Sequence, residues 1–179
     1  MESRRSFIRK SATAAAAVGL YPAGSLGFPG AQQDGELQVG LIGLGLRGTN
    51  HLKNLIQRED VRITALCDVD PERLSLSRDM LQEAGRPTAA TYGEHEWSYR
   101  DLLDRKDVQA VIISTPWRWH TPMAVDAMKA GKYAGLEVSA ATTLQECWDL
   151  VDTHEATGTH MMLLENVNYR RDVMAVLRM

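Results

Sequence analysis

Short apolar blocks alternate with longer stretches of helical spacing along this chain. The runs at 37–42, 61–66 and 133–136 have strand length. The run at 108–113 is nearly all apolar, the mark of a strand buried on both faces of a parallel sheet. Weaker strand patterns stand at 88–92 and 160–164. Helical patterns fill the intervals at 49–56, 71–84, 121–130, 143–156 and 170–178, with a short helix opening near Ser98 and running through Leu103. Their ends carry stop and start signals. Asp70 and Pro71 read as N-cap and first helical residue, as do Thr121 and Pro122. Ser98 with Asp101, and Thr143 with Glu146, read as capping boxes. Gly85, Gly131 and Gly158 end helices. Strands alternating with helices imply βαβ units, and right-handed crossovers put helices on both faces. The expected fold is α/β, a doubly wound parallel sheet. Ligands of such sheets lie beyond the carboxyl ends of the strands.

The first strand pattern runs into Gly43-Leu44-Gly45-Leu46-Arg47-Gly48, which fits G-x-G-x-x-G before a helix. Gly43 permits the tight turn, Gly45 lets a pyrophosphate approach the backbone, and Gly48 lets helix and strand pack closely. The free N–H groups at the helix start then face phosphate oxygens. Asp68 lies 20 residues past Gly48 (68 − 48), at the end of the second strand pattern. A carboxylate there accepts hydrogen bonds from the adenosine ribose hydroxyls. Its other reading, a helix cap, is weakened because Asp70 already supplies one. Val69 rather than an arginine follows it, and a 2′-phosphate would meet negative charge, so the spacing favours NAD over NADP.

The composition is that of a globular chain, 44% hydrophobic and 24% charged over 179 residues with net charge −3. No basic stripe marks a nucleic-acid partner. Cys67 and Cys147 are read as two reduced, buried thiols, and no Cys and His group has metal-ligand spacing. Residues 1–33 read as a leader and linker. Arg4-Arg5 ahead of the mild apolar run at 12–20 resembles a twin-arginine export signal, too short to be a membrane span. The protein is then expected in the periplasm or exported. Association with further copies of the chain is left open by the sequence.

The remaining strand ends carry candidate chemistry. They are Ser114-Thr115-Pro116-Trp117, Glu137-Val138-Ser139 and Glu165-Asn166. Trp117 and Trp119 can pack on a planar ring or on ordinary neighbours. His120 serves a site or caps the next helix, and Glu137 serves a site or pairs with a neighbouring base. Their shared edge favours one site over separate accidents.

At these residues the chain resembles the Gfo/Idh/MocA oxidoreductases, a Rossmann family. The glycine turn, Asp68, Ser114-Thr115-Pro116 and Ala130-Gly131-Lys132-Tyr133 carry that resemblance. Where the superfamily usually has E-K-P, this chain has Glu137-Val138-Ser139, without the lysine. Trp117-Arg118-Trp119-His120, Glu137-Val138-Ser139-Ala140-Ala141 and the segment from Glu165 to Asp172 are similar to glycoside hydrolase family 109, with departures at Arg118, Ala140 and Asn168. The resemblance implies an NAD-dependent α-N-acetylgalactosaminidase acting on a small glycoside by transient oxidation at sugar C3. It implies that Gly43, Gly45, Leu46, Arg47, Gly48, Asp68, Trp117, Arg118, Trp119, His120, Glu137, Val138 and Asn166 hold NAD. Tyr169 faces substrate or packs. It also implies a second, sheet-rich α+β substrate domain, absent here, to which residues 166–179 begin the connection after a nucleotide-binding domain at 36–165. An NAD-dependent sugar dehydrogenase with net hydride transfer and a non-catalytic NAD-binding fragment are the rival readings.

Overall fold

The computed structural model of the protein describes residues 35–178, so the leader expected at 1–33 lies outside the described residues. Six strands form one parallel sheet in the order β3-β2-β1-β4-β5-β6. They are β1 Leu37–Ile42, β2 Val61–Cys67, β3 Ala90–Tyr92, β4 Ala110–Ile113, β5 Tyr133–Leu136 and β6 Met161–Leu163. The helices are α1 Leu46–Ile56, α2 Pro71–Glu83, α3 Tyr99–Leu103, α4 His120–Lys129, α5 Leu144–Thr157 and α6 Arg171–Val176. The doubly wound sheet read from the sequence is the fold observed. Chain order reverses direction across the sheet between β1 and β4, which opens a crevice above that pair.

Two apolar clusters cover the two faces. Leu52 of α1 and Leu81 of α2 pack with Val39, Leu41, Val61, Ile63 and Leu66. Leu102 of α3, Met123 and Met128 of α4 and Leu150 of α5 pack with Ile42, Ala65, Cys67, Val111, Ile113 and Leu136. Strand β2 serves both clusters. Val39 pairs with Ile63 but Gly40 with Ala65, so Thr64 is the extra residue of a bulge. The bulge shifts side-chain parity by one, which keeps Leu66 on the same face as Val61 and Ile63.

The caps divide into kept and corrected expectations. Asp70 accepts from Glu72 N, and the Thr143–Glu146 capping box forms in full. Ser98 caps nothing; it lies in the helical region and its Oγ accepts from His95 N at 3.1 Å. Helix α1 starts at Leu46, three residues before the expected Thr49, because Gly45 serves as its N-cap. Helix α4 starts at His120 after a 3₁₀ turn at Trp117–Trp119, so Pro122 sits within the first turn, where its missing N–H is no loss. Thr121 is therefore no cap. Its hydroxyl donates to Ala140 O at 2.9 Å and ties α4 to the loop after β5. Cys67 is buried as expected, and burial pushes its thiol up to about 12, but Cys147 is exposed on α5. Among the described residues no helix is long and apolar enough to cross a membrane.

Candidate functional site

The β1–α1 turn is shaped by two glycines with no room for side chains. Gly43 has φ +87, and a Cβ there would lie 2.7 Å from the Ser114 backbone. A Cβ on Gly48 would come within 1.9 Å of Gly43 O. These contacts bring the start of α1 down onto β1 and β4. Gly45 differs: its Cβ position meets only the Arg73 guanidinium, at 3.8 Å, and otherwise borders open space. Helix α1 has no side-chain cap and no acidic residue in its first turn, so its first N–H groups lie free beside that space.

Asp68 locks this turn to the next strand. Its Oδ2 accepts from Leu44 N at 2.6 Å and its Oδ1 from Asp70 N at 2.9 Å. A carboxylate has about four acceptor sites, so both oxygens can still accept from a ligand hydroxyl.

A cleft of about 530 Å³ opens above these residues. Gly43, Gly45, Leu46, Arg47, Asp68, Arg118 and Trp119 all line it, as the sequence reading expects of one site. Trp119 is held edge-on against Trp97, with ring centroids 4.9 Å apart, and against buried Tyr99 at 6.4 Å. Tyr99 OH donates to Asp126 of α4 at 2.7 Å; burial, then that bond, pushes the phenol up to about 12. Arg118 reaches Glu96 at 3.4 Å and spans the far wall.

The other candidates stand outside the cleft wall. Gly48 acts through packing. Trp117 is 64% exposed, and Val138, Asn166 and Tyr169 are exposed on the loops after β5 and β6. His120 is buried beneath the site. Its Nδ1 lies 2.7 Å from Ser139 O and its Nε2 2.7 Å from Thr115 O, so it joins the loops after β4 and β5. The Val138–Ser139 peptide in the second loop is cis. Glu137 pairs with neighbouring bases: Arg47 donates to its Oε1 from Nε at 3.2 Å and Nη2 at 2.6 Å, and His51 Nε2 lies 2.7 Å from the same oxygen. Burial raises the Glu137 carboxyl, but these two partners outweigh it and hold the group below the usual carboxylate range.

Arg73, His95, Glu96 and Met123 line the cleft without having been singled out. Arg73 was legible in part, since it sits three residues after the Asp70 cap and pairs with it at 3.3 Å. His95 and Glu96 gave no signal, because only the position of β3 at the sheet edge turns their loop inward. His51 was legible as the residue one helical turn beyond Arg47.

Residues 37–164 match the family described as "Oxidoreductase family, NAD-binding Rossmann fold". The chain belongs to the Gfo/Idh/MocA oxidoreductases. It is an NAD-binding Rossmann domain of that family. A glycosyl hydrolase family 109 protein of Stenotrophomonas maltophilia is 47% identical over 180 residues, covering 98% of this chain and 38% of that protein. One of the same name from Parabacteroides distasonis is 40% identical over 190 residues, covering 99% and 41%. The chain thus spans about two fifths of the length of the curated relatives it matches. Among solved structures, the WlbA dehydrogenase of Chromobacterium violaceum, in complex with NADH and UDP-GlcNAcA, superposes with TM-score 0.70 at 22% identity, over 82% of this chain and 40% of that one. Myo-inositol 2-dehydrogenase of Lactobacillus plantarum gives 0.68 at 22%, over 80% and 40%. At such identities the likeness is one of fold.

Proposed function

We propose that this chain is the nucleotide-binding part of a glycosidase that cleaves α-N-acetylgalactosaminides or related glycosides with a retained NAD. The observation that carries the reading is 47% identity to a glycosyl hydrolase family 109 protein across nearly the whole chain. The residues present fit the cofactor. The space a Gly45 Cβ would fill lies open beside free helix N–H groups, which suits a pyrophosphate. Asp68 accepts the ribose hydroxyls, and Arg73, Arg118 and Trp119 wall the adenosine side. Arg47 supplies positive charge beside the pyrophosphate. Glu137, Val138 and Asn166, beyond β5 and β6, stand on the side left for the nicotinamide and sugar, with Tyr169 toward the substrate. His120 positions the loop after β5 that carries Glu137 and Val138.

When bound, the cofactor supplies reversible removal of hydride from sugar C3, so that the C2 proton becomes acidic, the C1–O bond breaks by elimination, water adds, and the hydride returns. The chain's own part is to orient the dinucleotide against the sugar. The Arg4-Arg5 leader extends the reading to location, since the twin-arginine route exports folded, cofactor-loaded proteins.

The test uses an enzyme of full relative length that contains this chain, with a C2-deuterated aryl α-N-acetylgalactosaminide and no added NAD. Aglycone release with loss of the label to water is expected. Displacement by a carboxylate pair would leave the label in place. Cleavage with the label fully retained would falsify the oxidation–elimination route, and NADH rising in step with substrate loss would favour a dehydrogenase.

Cofactor choice is tested on the chain itself. NAD is expected to bind more tightly than NADP. Asp68→Ala is expected to weaken NAD by about 1.5–3 kcal/mol, the scale of a hydrogen bond to a charged group, and to narrow the gap. Titration with both nucleotides reads this out, and equal affinities in the unmutated chain would sink it.

A further inference from the structure

We propose that His51 is a positioning residue that frees Arg47 to turn onto the pyrophosphate of the bound dinucleotide. The inference rests on the NAD reading above. Arg47 and His51 are four residues apart on α1 and so project from the same face. Both reach Glu137 at the end of β5, and all three of their contacts fall on one oxygen, Oε1. A carboxylate oxygen has two lone pairs, so three donors are more than it accommodates well. Arg47 supplies two of these contacts and His51 the third, so one partner can leave while the other still satisfies the oxygen, whereas a buried carboxylate stripped of every partner is strongly destabilising.

Exposure decides which one leaves. The Glu137 side chain is 6% exposed and His51 20%, whereas Arg47 is 45% exposed and lines the cleft. Arg47 also sits in the first turn of α1, where a cation faces the positive end of the helix dipole. An anion beside it offsets that unfavourable placement. Glu137 is that anion in this structure, and the pyrophosphate takes its place when the dinucleotide binds. His51 then remains as the donor that keeps Glu137 satisfied. Without His51, Arg47 is the sole partner of a buried carboxylate and is held back from the ligand.

The test is a double-mutant cycle on NAD affinity, measured by titration calorimetry with the melting temperature of each variant recorded. His51→Ala is expected to weaken NAD about tenfold, the scale of one hydrogen bond to a charged group. His51→Gln, whose amide N–H can replace Nε2 as donor to Oε1, is expected to restore an affinity close to that of the unmutated chain. In an Arg47→Ala background, His51→Ala leaves Glu137 without either base and is expected to lower the melting temperature, but to change the NAD affinity no further. A purely structural His51 would lose the same factor in both backgrounds, and that result overturns the exchange. So does a His51→Ala chain with undiminished affinity, or a well-folded His51→Gln chain as weak as His51→Ala. An unmutated chain that takes up no NAD would remove the NAD reading itself, an outcome distinct from any of these.

Discussion

Replacing Gly48 by alanine is expected to lower the melting temperature by about 10 °C and to weaken nucleotide binding with it. Alanine in a helix normally gains about 1 kcal/mol over glycine. Here the added Cβ would lie 1.9 Å from Gly43 O and 2.8 Å from Gly43 C. Both are backbone atoms, so no side chain can rotate away. Overpacking of this kind costs about 1–3 kcal/mol and occasionally more, and overlap with a carbonyl oxygen belongs at the upper end. The overlap therefore decides the sign. Relief requires α1 to lift from β1, which carries with it the turn at Gly43–Gly45 and the Leu44 N–H bond to Asp68. Thermal melting and NAD titration of the variant check this together. A melting temperature equal to that of the unmutated chain would show that the turn yields at no cost.

Gly45→Val is expected to separate what Gly48→Ala combines. Gly45 has φ −64 and ψ −164, extended backbone that valine adopts readily. Its Cβ meets only the end of the flexible Arg73 side chain, at 3.8 Å. The fold should therefore survive, with circular dichroism and melting close to those of the unmutated chain. The valine methyl groups would occupy the space where the pyrophosphate approaches the backbone, so measurable NAD binding should disappear. The longer enzyme should lose glycoside cleavage as well. A Gly45→Val chain that still binds NAD would place the pyrophosphate elsewhere. One that fails to fold would mark Gly45 as a packing residue like Gly48.

Caps form where no other contact claims the side chain and are lost where one does, whether that contact is near or far in sequence. The Asp70–Pro71 start and the Thr143–Glu146 box form because their partners lie within three residues. Ser98 and Thr121 carry equally good local signals, but each is claimed by another contact. Ser98 closes its own loop through His95 N, and Thr121 reaches Ala140, nineteen residues away. The 3₁₀ turn at Trp117–Trp119 wraps the end of β4, and it moves the start of α4 ahead of the proline that marks it in the sequence.

The same division runs through the site. Gly43, Gly45, Gly48 and Asp68 were legible because a turn between a strand and a helix constrains backbone at fixed spacing, whatever surrounds it. From the sequence alone followed the alternation of elements, the parallel sheet, the edge where the cleft opens and the residues of the glycine turn. The tertiary structure decided the partners. It set Glu137 against both Arg47 and His51, buried His120 between two carbonyl oxygens, and turned Glu96 toward Arg118. It also divided the strand-end residues, bringing Arg118 and Trp119 into the cleft and leaving Trp117 and Tyr169 in solvent. The physical reason is range. Strand, helix and turn preferences act over a few residues, so sequence displays them, whereas pairing across a sheet edge joins residues up to 90 positions apart and depends on where every intervening element packs.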